Sequence, residues 1–263
     1  MLGVRGRYVV LVETADFIET LRRDGELLAD FAVRAGWGTA VPTCPGWQVR
    51  DLVAHTGSVH RWAAGYLAGR TQRTPIESCA PKDDHALPAW FRDGHRELVE
   101  GITAAPANLE CWTFLPAPTP LAFWARRQAH ETAVHRVDAE RALGAEHREF
   151  TPEFARDGID ELLAGFHVRS RSQVRTEQPR TLLVRATDGV PDTEQPSAWL
   201  LRLSQEAPCV ERLADPSGAP ADCTVRGPSA ALYLALWNRG RYEDLDVTGD
   251  ASLVELWRRA SAV

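Results

Sequence analysis

The chain has 263 residues, 44% of them hydrophobic and 25% charged, with a formal net charge of −6. That length fits one large domain or two modest ones, each able to bury a core without a disulfide or metal to hold it together. Nine Trp and a moderate charge exclude disorder as the main state, and no apolar run reaches the roughly 18 residues of a membrane span.

The apolar run at residues 8–12 is too short for a signal-peptide core, so the expected location is the cytoplasm. The basic residues are scattered, which argues against a nucleic-acid surface. The five cysteines (44, 79, 111, 209 and 223) are odd in number and include no CxxC pair, against both a disulfide framework and a Cys-rich zinc knuckle. Arginine outnumbers lysine 29 to one (Lys82), a bias of GC-rich, actinobacterial-type coding sequences.

In chain order, the first half reads as helical. Residues 14–35 carry Phe17, Ile18, Leu21, Leu27, Leu28 and Phe31 at helical spacing, with Gly36 and Gly38 as stops. A Thr43-Cys44-Pro45-Gly46 turn opens a second helix over 47–68. A loop with Pro75, Pro81 and Pro88 leads to a third over 89–104. Thr119-Pro120 caps a fourth that runs to Leu143, and a fifth spans 152–168. Four such helices predict a bundle over 14–170. Beyond a polar hinge at 170–179, strands are expected at 181–186, 199–203, 210–213 and 224–226, and helices at 229–237 and 251–259. Turn residues Asp188-Gly189, Pro216 and Gly218 separate them. The fold class is α+β: a four-helix bundle followed by a small mixed α/β domain over 171–263. The role of residues 1–13, an added strand or merely an upstream start, stays open.

The informative feature is a row on the fourth helix: Leu121, Trp124, Gln128, Glu131, His135 and Asp138 fall within roughly one 100° sector. Glu131 and His135, four apart, are neighbours on one face. His130 and His135, five apart, point about 140° from each other, so this is not the HExxH zincin arrangement. On the second helix His55 falls in the inward stripe of Leu52, Val59, Trp62 and Tyr66, while His60 lies nearer its edge. An inward His55 meeting Glu131 and His135 would form a zinc-type ligand set with a fourth position open. The plainer reading is a surface Glu–His pair and a satisfied core histidine.

These residues also carry a resemblance. The stretch Val41-Pro42-Thr43-Cys44-Pro45-Gly46-Trp47, followed by Asp51-Leu52-Val53-Ala54-His55, is similar to the second-helix signature of the DinB-like, mycothiol-dependent maleylpyruvate isomerase family. Ala129-His130-Glu131-Thr132-Ala133-Val134-His135-Arg136-Val137-Asp138 resembles its other motif. Val225-Arg226-Gly227-Pro228-Ser229 through Leu236-Trp237-Asn238-Arg239 resembles its C-terminal domain. The resemblance implies a divalent metal, usually zinc, held by His55, Glu131 and His135, and a low-molecular-weight thiol, mycothiol, bound at the open position as thiolate. It also implies a substrate-clamping role for Arg239 between the two domains, against which stands a plain helix-terminal arginine; Arg241 is an equally placed competitor.

Around that core, Trp62 and Trp124 are either pocket walls or ordinary packing. Asp138 is placed to accept the free N–H of His135, and Gln128 to orient a ligand. His60 is either a partner of the ligands, a general base, or a solvated edge residue. Cys44 reads as packing rather than as a nucleophile.

Three functions remain open at this level. The first is a mycothiol-dependent metal enzyme, isomerase or S-transferase, acting on a small electrophile. The second is a thiol-independent metal enzyme acting on a secondary-metabolite intermediate. The third is a small-molecule-binding resistance protein. No nucleic acid or membrane partner is expected, and a homodimer is the default for a soluble enzyme.

Overall fold

A computed structural model describes residues 12–145, 149–188, 197–213 and 218–262. Residues 1–11 and the turn residues Gly189 and Pro216 lie outside the described residues. The chain divides into one compact unit of Glu13–Arg148 and another containing Glu149–Val263. This corrects the expected boundary at 170. The helix that follows the bundle packs on a helix of the second unit and belongs there.

The first unit holds four helices: α1 (Thr14–Ala35), α2 (Val49–Leu67), α3 (Leu87–Ala104) and α4 (Pro120–Leu143). Helix α1 packs chiefly on α4, and α2 on α3. The ends follow local chemistry. Thr119 accepts a hydrogen bond from the Ala122 amide with Pro120 in the first turn, and Gly144 at φ 71° closes α4. The Gln48 amide donates to Asp51 at 2.9 Å to start α2. The apolar stripe of α1 buries Phe17, Leu21 and Leu28. Polar groups are buried with them: Arg136 of α4 pairs with Asp24 of α1 at 3.2 Å and also with Glu140. A buried arginine between two carboxylates fixes the register of α1 against α4, because removing one partner would strand a charge in the core.

The second unit begins with α5 (Pro152–Asp160), which continues as a π-helical turn over Glu161–Phe166. Five strands follow: β1 (Arg180–Ala186), β2 (Ala198–Leu203), β3 (Cys209–Leu213), β4 (Cys223–Gly227) and β5 (Asp246–Gly249). Their spatial order is β3-β2-β1-β4-β5, with β1 and β4 parallel and the other pairs antiparallel. Helices α6 (Ser229–Leu236) and α7 (Ser252–Ala260) complete it. Asp160 at the end of α5 accepts the Trp199 indole N–H at 3.1 Å and pairs with Arg212, tying helix to sheet. The Trp257 indole does the same between α7 and α6, donating to the Leu236 carbonyl at 2.9 Å. Among the described residues, no helix is long and apolar enough to cross a membrane.

Candidate metal centre

Helices α2 and α4 run antiparallel, since His55 meets Glu131 and His135 while Trp62 and Tyr66, later on α2, meet Trp124, earlier on α4. The predicted trio comes together in this seam. His55 Nε2 lies 3.4 Å from Glu131 Oε1, and His135 Nε2 lies 3.3 Å from the same oxygen. The two imidazole rings are 5.1 Å apart, and one donor atom from each of the three residues falls within 4.8 Å of the others. Charge-assisted hydrogen bonds run about 2.7–2.9 Å, so 3.3–3.4 Å is long for an optimised ion pair. It matches the edge of a tetrahedron whose centre sits ~2.0–2.1 Å from each ligand, about 3.3 Å. Two imidazole nitrogens and one carboxylate oxygen thus fit a zinc-type ion in donor type and in both N···O spacings.

The surroundings orient each ligand. The Arg127 guanidinium donates to Glu131 Oε2 at 3.2 Å, leaving Oε1 to face the two histidines. His135 Nδ1 lies 2.8 Å from Asp138 Oδ2, so the ring is held from both ends. The Trp47 ring lies 5.0 Å from that of His55 and 6.2 Å from that of His135. Burial falls off toward one side: the His135 side chain is 9% exposed, Glu131 22% and His55 36%. His55 is therefore the most exposed of the three.

Charges follow from this geometry. Burial works against a charged His135, but Asp138 and Glu131 outweigh it and raise its pKa to about 9 in the metal-free protein. Burial would likewise raise Glu131, yet hydrogen bonds from His135 and His55, with Arg127 behind them, hold it well below the ordinary carboxylate range.

A second donor set, Cys44, His135 and Asp138, shares His135 with the first. Its members already bond one another: Cys44 Sγ donates to Asp138 Oδ2 at 3.3 Å and His135 Nδ1 lies 2.8 Å from the same oxygen, while the Thr43 hydroxyl, from outside the set, donates to Asp138 Oδ1. This corrects the reading of Cys44 as packing alone.

Of the other candidates, Gln128 is buried with its amide oxygen unpartnered. Trp124 is fully buried and Trp62 half-buried, within a cluster that includes Tyr66, Trp112, Phe114 and Phe123. His60 is fully buried, which corrects the expected solvated edge. Its Nε2 lies 2.9 Å from Thr132 Oγ1, and its ring packs on Phe91 and His95. Burial pushes its pKa well below the ordinary imidazole value, with His95 adding to the effect. Arg239 and Arg241 belong to the second unit. Arg239 is half-buried just past α6 and donates to the Trp237 carbonyl at 2.9 Å. Arg241 is exposed, 3.8 Å from Glu243.

Two family models match this sequence: the mycothiol maleylpyruvate isomerase N-terminal domain over residues 19–140 and the MDMPI C-terminal domain over 153–256. The chain belongs to the mycothiol-dependent maleylpyruvate isomerase family. No curated protein sequence matches it. Two solved structures share its fold. Crystal structures of the mycothiol-dependent maleylpyruvate isomerase and of its histidine-to-alanine mutant superpose with TM-scores of 0.58 and 0.59 at 15% and 13% identity. Each comparison covers 90% of this chain and 93% of the other.

In this family member the sequence pattern leaves Arg127, Trp47 and Thr43 unnoticed as site residues. Arg127 had a signal, since it sits four before Glu131 on α4. Thr43 and Trp47 come from a turn, where helical periodicity carries no information about direction.

Proposed function

We propose that this chain is a divalent-metal enzyme, zinc being the best fit, that uses mycothiol on a small electrophile, by cis–trans isomerisation or by S-transfer. The observation that carries the reading is the His55–Glu131–His135 trio, with N···O separations of 3.3 and 3.4 Å that match tetrahedral ligand spacing. Family membership supports the thiol, and the related structures bear the name of a mycothiol-dependent isomerase.

When bound, the ion supplies Lewis acidity that lets a coordinated thiol lose its proton near neutral pH. The chain does the rest. His55, Glu131 and His135 hold the ion, and Arg127 keeps Glu131 ionised and turned toward the histidines. Asp138 accepts a hydrogen bond from His135 Nδ1–H, which keeps that proton on Nδ1 and leaves Nε2 as the ligating nitrogen. Gln128 lies one turn from Glu131 on α4, and its unpaired amide oxygen is available to an N–H or O–H of a ligand. Trp62 and Trp124 form an apolar wall beyond it. Arg239, with Arg241 as its competitor, supplies a guanidinium for a substrate carboxylate.

In the isomerase reaction the sulfur lone pair forms a C–S bond to one carbon of an activated double bond, and the electron pair of that bond moves onto the conjugated carbonyl. The single bond left behind rotates, the electron pair returns, and the thiolate leaves unchanged. In S-transfer the C–S bond persists and the electrophile's leaving group departs with its electron pair.

The test is to incubate the zinc-loaded protein with mycothiol and a cis-enoic keto-diacid of the maleylpyruvate type, following both isomer and free thiol. Isomerisation at constant thiol supports the isomerase, and one thiol lost per turnover supports transfer. Equal turnover without thiol would point to the thiol-independent enzyme. Binding with no product would point to a sequestering protein.

A further inference from the structure

The turn at residues 41–47 is a closed, hydrogen-bonded unit. Val41 N donates to the Trp47 carbonyl at 2.9 Å, Cys44 N to the Val41 carbonyl and Trp47 N to the Cys44 carbonyl, each of the latter at 3.0 Å. Gly46 sits at φ 85°, where a side chain would be strained. Three side chains of this one turn reach the metal-binding trio or its support. The Thr43 hydroxyl donates to Asp138 Oδ1, and the Cys44 thiol donates to Oδ2 at 3.3 Å. The Trp47 ring lies nearly parallel to that of His135, at 21°, and packs on His55 as well.

Asp138 itself is fully buried. A carboxylate in that position is costly unless donors meet it, and one free to swivel would aim at His135 only part of the time. With Thr43 gripping one oxygen and Cys44 the other, Oδ2 is directed at His135 Nδ1, 2.8 Å away. The turn therefore acts upon His135 through the Asp138 carboxylate.

We propose that Thr43 and Cys44 are positioning residues for the metal centre, acting through Asp138 to fix the ring and the tautomer of His135. The proposal rests on the metal reading above. It gives Cys44 the role of a hydrogen-bond donor, and it explains why a turn distant in sequence from α4 belongs to the site.

The experiment measures the zinc dissociation constant by chelator competition, and the thermal midpoint of the metal-free protein, for wild type, Thr43→Val, Thr43→Ser and Cys44→Ala. Thr43→Val keeps the shape and removes the donor, so zinc affinity is expected to fall on the order of tenfold or more. Thr43→Ser restores the hydroxyl and is expected to bind within about threefold of wild type on the same scale. Cys44→Ala, which loses the weaker donor, is expected to fall between them, with metal-free midpoints unchanged. Wild-type affinity in both Thr43→Val and Cys44→Ala overturns the positioning role and leaves the metal reading standing. A loss that tracks a fall in the metal-free midpoint and is not rescued by serine assigns Thr43 to packing, and overturns it too. A wild-type chain that binds no zinc overturns the metal reading itself.

Discussion

His135 is where the two halves of the site meet, with Glu131 on Nε2 and Asp138 on Nδ1. Because both carboxylates raise its pKa to about 9, the metal-free ring carries two protons at pH 7 and must give up the one on Nε2 to ligate. Zinc binding is therefore expected to release about one proton from this residue at pH 7 and to tighten by up to about tenfold per pH unit until pH 9. Calorimetry in buffers of different ionisation enthalpy reads the proton directly. His55→Ala, Glu131→Ala and His135→Ala should each drop zinc from about one per chain toward none, with helical circular dichroism preserved. His167 behaves in the opposite sense. Burial lowers its pKa to about 4, against a weaker pull from the Ser261 backbone. The unfolded ring, titrating near 6.5, binds its proton first, so stability is full above that pH and drains away as pH falls toward 4. The loss between pH 8 and 5 is about 2 kcal/mol, and His167→Gln should flatten that part of a urea-denaturation pH profile.

Between elements, α1 crosses α3 at close range. A methyl group added at Gly25 would lie 2.2 Å from Nε2 of His95, whose ring is pinned by the Leu21 carbonyl at 3.0 Å. Gly25→Ala is expected to cost about 1–3 kcal/mol in urea denaturation, because neither helix nor ring can give way cheaply. The elements themselves were legible to within two residues wherever burial imposed a period: α1 was placed at its observed ends, and β1 to β4 at theirs within one residue. Strand β5 was missed. Asp246-Val247-Thr248-Gly249 holds one apolar residue, and its extended form comes from pairing with β4. The trio was legible because helical angle alone brings Glu131 and His135 to one face and His55 inward. His60 was misjudged because its stripe borders a third helix: α3 covers it with Phe91 and His95, which the periodicity of α2 cannot report. Asp138 could be proposed as a partner from its three-residue spacing to His135, while Thr43 could not, since the pair are brought together only by tertiary folding.

On the scale of the whole chain, the trio and the arginine proposed as a clamp belong to different compact units. The three ligands and the residues that orient them lie within Glu13–Arg148, and Arg239 lies within Glu149–Val263. Metal content and turnover should then separate by mutation. Arg239→Ala is expected to keep about one zinc per chain and lose at least tenfold in kcat/KM for a carboxylate substrate, with a non-carboxylate electrophile little affected. The sheet of the second unit has a different consequence, one that falls before the molecule is complete. Strand β1 lies at its centre, and its neighbour on one side, β4, pairs Leu182 with Cys223. At roughly 5–20 residues per second, the ribosome needs about 2–8 seconds to make the intervening segment. For that interval the apolar edge of β1, rich in leucine and valine, has no partner on that side. The nascent chain, more than the finished one, is the form open to strand-to-strand aggregation.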